Sequence, residues 1–319
     1  MLKKGYEAIK ILLAMENPSV RQGLQNALQS EGFPRAIEIN TLGRMIAMLS
    51  DAPYDVILTA TELADEFVPT QMTQLRQGNL GHHPVPIIMQ FLCAAEQAYV
   101  RKTIASGPDD ILQMPISPAQ LMTRLALLAE NRKSFVVTSD YVGPDRRQGA
   151  RPGAMVVPLL DVPNPMKMKI NKLSFEDQAE HIARASDRLR AMRLARYVFE
   201  LQWLLRAIKQ LFEQGGQDGD KLLSFCERIK ILLIGLPRLL PGGLPLSLEP
   251  TAARLEMGCT ILMRKGFSAD ASILNGLSGV IGSLARALND SLPADLNETA
   301  KPVPAVVADQ PVEPVQPAL

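Results

Sequence analysis

Five short apolar segments, each followed by an amphipathic segment, restrict the folds that the first part of the chain can adopt. The central one runs from Tyr54 to Ala60, is bounded by turn residues and has no polar face. A strand of this kind is buried on both faces, as in a parallel sheet covered by helices. Five such strands alternating with five helices predict a doubly wound (βα)5 domain of the α/β class, with any ligand chemistry at the carboxyl ends of the strands.

The bounds of these elements follow from capping and turn residues. Thr41 and Ser117 precede two of the predicted helices, and Gly32 and Gly107 follow two others. The predicted strands are 9–14, 36–39, 54–60, 87–91 and 111–112, and the predicted helices are 18–30, one starting after residue 41, 69–77, 96–106 and 117–132.

The order of these elements resembles the receiver domain of bacterial response regulators over residues 8–131. Met114-Pro115-Ile116 stands where receivers have a turn of lysine, proline and an aromatic residue. The resemblance implies a phosphorylated aspartate at the end of the third strand. In this chain that position is Ala60, which has no carboxylate to act as a nucleophile.

The resemblance also implies the other residues of a phosphorylation pocket, and the chain departs from each of them. Met15 and Glu16 stand for the acidic pair that holds magnesium, Phe91 for a hydroxyl residue and Met114 for a lysine. One carboxylate is a weak site for magnesium, which prefers several oxygen ligands. We therefore predict a receiver-like fold kept as a scaffold, with an apolar core in place of the pocket, no cofactor, no bound metal and no enzymatic activity.

Residues 133–170 are predicted to be a linker, with 1–132 as the pseudo-receiver domain. Residues 135–137 could add an edge strand to the sheet, and residues 143–145 are predicted to form a turn. The segment also contains the string Tyr-Val-Gly-Pro-Asp-Arg-Arg at residues 141–147. This string is similar to the arginine-bearing tail that follows some single-domain receivers.

Some receiver-like proteins with arginine-rich extensions bind cyclic di-GMP, which makes these residues a candidate nucleotide or partner site. Guanidinium groups such as those of Arg146 and Arg147 can grip phosphates and stack on purines, and Asp145 can accept from a guanine edge. The alternative is a solvated basic linker, or a segment folded back on its own domain through Tyr141.

The second half of the chain is predicted to be all-α. Helices are expected at 175–213, 221–234, 250–265 and 268–290 within a domain of residues 171–291, arranged as a four-helix bundle or a dimerising helical domain. Small residues at helical spacing predict a face for close helix contact, formed by Ser272, Gly276, Gly279 and Ser283. Residues 292–319 lack aromatics and periodicity, so we predict a disordered tail.

His181 lies near the start of the long helix, in the string His-Ile-Ala-Arg-Ala-Ser. This string is faintly similar to the pattern of histidine phosphotransfer domains, which are also four-helix bundles. The residue before the histidine is Glu180 and the expected leucine is Ala183, so an exposed histidine in a charged helix is the commoner explanation. Phosphotransfer at His181 is retained as a third hypothesis.

Composition narrows the functional classes. The formal net charge of +1 over 319 residues gives no bias towards nucleic acid or a membrane surface, and no apolar stretch is long enough to span a bilayer. Cys93, Cys226 and Cys259 have no metal-type spacing, so we expect them to be buried in a reducing, cytoplasmic protein. These observations predict a non-catalytic bacterial signalling adapter that binds other signalling proteins and forms homo-oligomers.

Overall fold

The computed structural model of the chain describes residues 5–93, 96–147, 158–216, 218–240, 242–269 and 271–289. The chain divides into two compact units between Leu189 and Arg190. These units follow packing alone, so the domain bounds given from the sequence stay a prediction.

The first unit contains a five-stranded parallel sheet with flanking helices. Its strands, in chain order, are β1 (Ile11–Ala14), β2 (Ile37–Ile39), β3 (Val56–Ala60), β4 (Glu62–Leu63), β5 (Glu66–Phe67), β6 (Ile87–Leu92) and β7 (Asp110–Gln113). The sheet has the order β2-β1-β3-β6-β7, which is that of flavodoxin-like doubly wound proteins. The short strands β4 and β5 pair antiparallel with each other outside the sheet, and the sequence analysis did not predict them.

Five helices accompany the sheet and lie close to their predicted positions. They are α1 (Pro18–Ser30), α2 (Leu42–Asp51), α3 (Pro69–Arg76), α4 (Gln97–Ala105) and α5 (Pro118–Glu130). Asn17, Thr41 and Ser117 each accept a hydrogen bond from a backbone N–H of the following first turn, which is why α1, α2 and α5 begin where they do. Every residue of β1, β3 and β6 is buried, so the core lies on both faces of the sheet.

The predicted linker is more regular than the sequence suggested. It contains β8 (Phe135–Val137), β9 (Val142–Pro144), β10 (Leu159–Leu160) and the short helix α6 (Pro165–Ile170). The three strands form a separate antiparallel sheet in the order β10-β8-β9, so the prediction that β8 could extend the main sheet was wrong. The turn predicted at 143–145 was also wrong, because the chain continues as β9 through Pro144. Residues 148–157 lie outside the described residues.

Four helices account for most of the rest of the described chain. They are α7 (Phe175–Glu213), α8 (Gly219–Gly235), α9 (Glu249–Lys265) and α10 (Ala271–Asn289). Buried apolar residues from all four, beginning at Leu194 on α7, form one core in the second unit. Gly219, which was predicted to end the long helix, instead opens α8, because Asp218 caps that helix through the backbone N–H of Lys221. The predicted tail 292–319 lies outside the described residues.

The small-residue face of α10 does not make the helix contact that its spacing predicted. Ser272, Gly276, Gly279 and Ser283 are all exposed. A Cβ atom added at Gly276 or Gly279 would meet nothing within 4 Å. The opposite side of α10 packs into the core instead, because its large apolar residues bury more surface there than glycine could.

Candidate functional site

The carboxyl ends of β1, β3 and β6 meet where a doubly wound sheet places its ligand. Met15, Ala60 and Phe91 are 4%, 3% and 0% exposed, and all three belong to the main apolar core. Ala60 and Phe91 are aligned neighbours in the sheet, and the backbone N–H of Thr61 donates to the Phe91 carbonyl at 3.0 Å. Met114, after β7, packs against the same core. Apolar side chains therefore fill these four positions.

Glu16 is the acidic residue left from the pair that the resemblance implies. It is exposed, and its carboxylate accepts from the backbone N–H of Ala64 at 3.4 Å. The guanidinium of Arg21 binds the carbonyl oxygens of Met15 and Glu16 at 2.6 and 3.1 Å. Within the described residues, no three His, Cys, Asp or Glu side chains gather as a metal site would require. These residues do not fit the magnesium ion that the resemblance implies.

The β4–β5 hairpin lies beside this edge and is held to α4 by aromatic and polar contacts. The Tyr99 hydroxyl donates to the Glu62 carboxylate. The rings of Phe67 and Tyr99 meet edge to face at 4.9 Å, and the Lys102 ammonium lies 5.8 Å from the centre of the Phe67 ring. Glu62 therefore has a partner inside the protein and is not free to serve as a phosphoryl acceptor.

Cys93 lies just after β6 and is exposed, which contradicts the prediction that all three cysteines are buried. Partial burial, together with the carboxylates of Glu62 and Glu16, raises the pKa of its thiol. The thiol is therefore protonated at neutral pH and a weak nucleophile. Cys226 and Cys259, in the second unit, are buried as predicted.

The candidate nucleotide-binding arginines have different partners within the protein. Arg146 is half-buried, and its Nη2 donates to the Pro108 carbonyl at 2.6 Å. Arg147 forms a bidentate salt bridge with the Asp145 carboxylate, with N–O distances of 2.8 and 3.0 Å. The hydrogen bond from Arg147 is the main cause that lowers the pKa of the Asp145 carboxyl. Each of the two guanidinium groups is therefore bound within the protein, to a different partner.

Tyr141 is also bound within its own unit. Its hydroxyl donates to the Pro144 carbonyl at 2.9 Å, and burial raises the pKa of this phenol. A Cβ atom added at Gly143 would lie 2.7 Å from both the Tyr141 hydroxyl and the Gly107 Cα. Gly143 and Arg146 thus hold this segment against residues 107 and 108 of the same unit.

A buried ionic cluster lies at the opposite end of the parallel strands, at their amino termini, and the sequence analysis did not predict it. Asp109, which precedes β7, lies between the guanidinium groups of Arg76 and Arg132, at 2.7 and 2.8 Å. The three side chains are 1%, 0% and 3% exposed. The Asp109 carboxylate also accepts from the Nη2 of Arg132 at 3.2 Å and from the backbone N–H of Ile88 at 2.8 Å. All of these contacts are at the amino ends of β6 and β7.

The remaining donors of this cluster are satisfied by main-chain carbonyls. Arg76 donates to the carbonyls of Gly107, Pro84 and Pro86, each at 2.8 Å. Arg132 donates to Pro86, Val85 and Pro163, at 2.7 to 2.9 Å. The charges are buried with their hydrogen bonds made, which is the condition for tolerating them in a core.

Phe135 of β8 lies between the two arginines. The guanidinium carbons of Arg76 and Arg132 are 5.0 and 4.9 Å from the centre of its ring, both within range of a cation–π interaction. Burial lowers the pKa of Arg76 to about 10, so it stays charged at neutral pH. Although burial alone would raise the pKa of Asp109, Arg132 and Arg76 hold it below its usual value. The cluster fastens the small sheet to the main one.

His83 lies close to this cluster, whereas His181 is on an exposed part of α7. Burial, and then the charges of Arg132 and Arg76, lower the pKa of His83 to about 4. Its Nδ1 accepts from the Val85 N–H at 3.3 Å, as a neutral imidazole does. The Nδ1 of His181 lies 2.7 Å from the Asp177 carbonyl, one turn earlier in the same helix. Within the part of the chain that the structure describes, no hydrogen bond or ion pair links His181 to a second ionisable side chain that could assist proton or phosphoryl transfer.

Comparison with known proteins gives matches to solved structures alone, since no protein-family model and no curated protein sequence matches the chain. The matching structures include the response regulator DrrB of Thermotoga maritima, which is 17% identical with a TM-score of 0.34. That match covers 40% of this chain and 55% of DrrB.

Two further matches are receiver domains taken alone. A CheY-like receiver of Methanospirillum hungatei is 16% identical with a TM-score of 0.34, over 37% of this chain and 92% of that one. The receiver of the putative response regulator NarL of Mycobacterium tuberculosis is 18% identical with a TM-score of 0.33, over 40% and 99%. The matches fall on the amino-terminal part of the chain, where the parallel sheet lies. Among the described residues, no helix is long and apolar enough to cross a membrane.

Proposed function

We propose that the chain is a non-catalytic signalling adapter, in which a pseudo-receiver that works without phosphorylation is coupled to a helical protein-interaction domain. The observation that carries this proposal is the apolar filling of the carboxyl edge by Met15, Ala60, Phe91 and Met114. Phosphoryl transfer needs a carboxylate nucleophile and a charged surround for the phosphoryl oxygens, and these four residues supply neither.

Binding in this proposal uses outer surfaces rather than a pocket. One is the face formed by α4, the edge strand β7 and α5, where β7 pairs with β6 on one side alone. Leu127 on α5 is 48% exposed, and Ile111 and Leu112 of β7 are partly exposed. An open strand edge with apolar neighbours is a surface that partners commonly use. The second surface belongs to the helical domain.

Phosphate uptake tests the proposal. The purified full chain is incubated with acetyl phosphate and magnesium, and an intact receiver domain is treated in parallel as the positive control. We expect no acyl phosphate on this chain by intact-mass measurement, at a concentration and time that label the control. A phosphoaspartate on this chain would overturn the proposal, and an acid-labile phosphohistidine at His181 would favour the phosphotransfer hypothesis.

The cyclic di-GMP hypothesis stays a prediction. A nucleotide that used Arg146 and Arg147 together would have to separate Arg147 from Asp145 and Arg146 from the Pro108 carbonyl. Calorimetric titration of the full chain with cyclic di-GMP, repeated on Arg146→Ala/Arg147→Ala, measures whether that happens. Binding that the double variant loses would establish it.

A further inference from the structure

Helix α8 is apolar on two sides. Its inner side carries Leu222, Cys226, Ile229 and Leu232, each at most 1% exposed. On another side Leu223, Ile231 and Ile234 are 39%, 57% and 70% exposed. Nothing in the described part of the chain covers these three side chains, and large apolar side chains grouped on one helix face mark an interaction surface.

The exposed apolar residues share one face with two opposite charges. At about 100° per residue, Leu223, Glu227, Lys230, Ile231 and Ile234 fall within a sector of roughly 100° of the helix surface. Glu227 is exposed and Lys230 is half-buried. No ion pair is recorded for either of them within the described residues. We call these five residues the α8 face.

Four of the five residues of the α8 face form a pattern that is complementary to its own reverse, whereas the position symmetric to Ile231 is the buried Cys226. Leu223 and Ile234 are equally far from the midpoint between positions 228 and 229, and so are Glu227 and Lys230. When two copies of α8 cross antiparallel at this midpoint, Leu223 of each copy faces Ile234 of the other. Glu227 of each then faces Lys230 of the other. Apolar groups thus meet apolar groups at both ends, and opposite charges meet in the middle.

We infer that the α8 face binds a second copy of this chain, with the two α8 helices antiparallel about a two-fold axis that crosses the exposed face midway between the levels of residues 228 and 229. A two-fold interface requires a surface that is complementary to itself, and this face meets that requirement in both polarity and charge. The inference rests on the proposed adapter function, because it names the partner of the helical domain.

The size of the face sets the expected affinity. Helix α8 has 17 residues and is therefore about 25 Å long, so a contact made by this helix alone is smaller than a standard stable interface. We expect a dimer that dissociates in the micromolar range. The charge pairs at its middle contribute orientation more than affinity.

Charge reversal on the full chain tests the arrangement. Glu227→Lys places like positive charges opposite each other in a homodimer, and Lys230→Glu places like negative charges there. We expect sedimentation equilibrium to show each single variant dimerising about tenfold more weakly than the wild type, since two ion pairs become repulsive. An equimolar mixture of the two single variants should regain dimers, because each then faces its opposite.

Controls separate this contact from changes within one helix. Glu227 and Lys230 are three positions apart on α8, so each reversal also alters a neighbour in its own chain. Heterodimer formation between the two variants restores only the contact between chains. The variant Leu223→Ser/Ile234→Ser should abolish dimers, whereas Met257→Ser, at an exposed apolar residue of α9, should not.

Three outcomes overturn the inference. A wild-type chain that stays monomeric up to several hundred micromolar has no such dimer. A dimer that neither the charge variants nor Leu223→Ser/Ile234→Ser alters uses another surface. If dimers form only when the chain is shortened to end at residue 289, residues 290–319 block the face in the full chain. Each of these leaves the phosphate-uptake test, and with it the adapter proposal, unaffected.

Discussion

At the carboxyl edge of the parallel sheet, the strand ends carry Met15, Ala60 and Phe91, whereas at the amino edge the chain buries Asp109 between two arginines. A doubly wound sheet ordinarily keeps its charged chemistry at the first of these edges. Here the buried arginines lie against Phe135 of the small β8–β10 sheet. This contrast supports the proposal that the main sheet acts as a support and that partners bind to outer surfaces.

Disrupting the buried ionic cluster around Asp109 should have the largest effect on the free energy of unfolding. In Asp109→Asn, two buried guanidinium groups lose the carboxylate between them, and we expect a loss of about 3–5 kcal/mol in the free energy of unfolding. Urea denaturation followed by circular dichroism measures it. The matched control is Arg124→Ala, which removes an ion pair to Asp110 whose arginine is 48% exposed and should cost at most about 1 kcal/mol. Equal effects would mean that the cluster is not a fastening.

Restoring a carboxylate at the carboxyl edge should destabilise the protein. We expect Ala60→Asp to lower the free energy of unfolding by about 2–4 kcal/mol at pH 7, because the new charge has no partner among apolar neighbours. Burial would raise the pKa of that carboxyl in the folded state, so its cost should shrink as the pH falls towards 4. Ala60→Asn separates size from charge. A variant as stable as the wild type at pH 7 would show that the pocket still accommodates an anion.

The stability of the protein should also fall in mild acid, because His83 lies close to the ionic cluster at the amino ends of the strands. Its pKa is about 4 in the folded protein and near 6.5 when unfolded, so the unfolded chain binds the proton first and stability falls as the pH drops below 6.5. This group should account for about 2 kcal/mol lost between pH 7 and pH 5. In His83→Gln that part of the pH dependence should disappear, whereas His82→Gln, at an exposed position, should retain it. Urea denaturation at the two pH values decides between these outcomes.

Local patterns explain which parts of the fold could be predicted. The bounds of α1 and α7 were predicted because capping residues and apolar periodicity lie within each segment. The residues at the carboxyl ends of the strands were assigned one by one from the family resemblance, and their role stays a prediction. The hairpin β4–β5 has two residues in each strand, too few for any periodicity to be visible.

The ionic cluster could not be predicted for a different reason. Asp109 is 23 positions from Arg132 and 33 from Arg76, and each of the three stands near an element end, where charged residues are ordinary. Only the folded chain brings them together around Phe135. The close helix contact predicted from the glycines of α10 was wrong for another reason. Small residues permit a close contact but do not specify a partner for it.

The position of Phe135 limits where the chain can be shortened without loss of stability. A fragment ending at residue 132, the predicted domain end, would keep both arginines but lose the ring between them and the Pro163 carbonyl that Arg132 binds. The backbone at Gly5 also packs closely against the end of α6, since a Cβ atom at Gly5 would lie 2.8 Å from the Ile170 Cα. A soluble amino-terminal fragment for crystallisation or partner capture should therefore extend through α6.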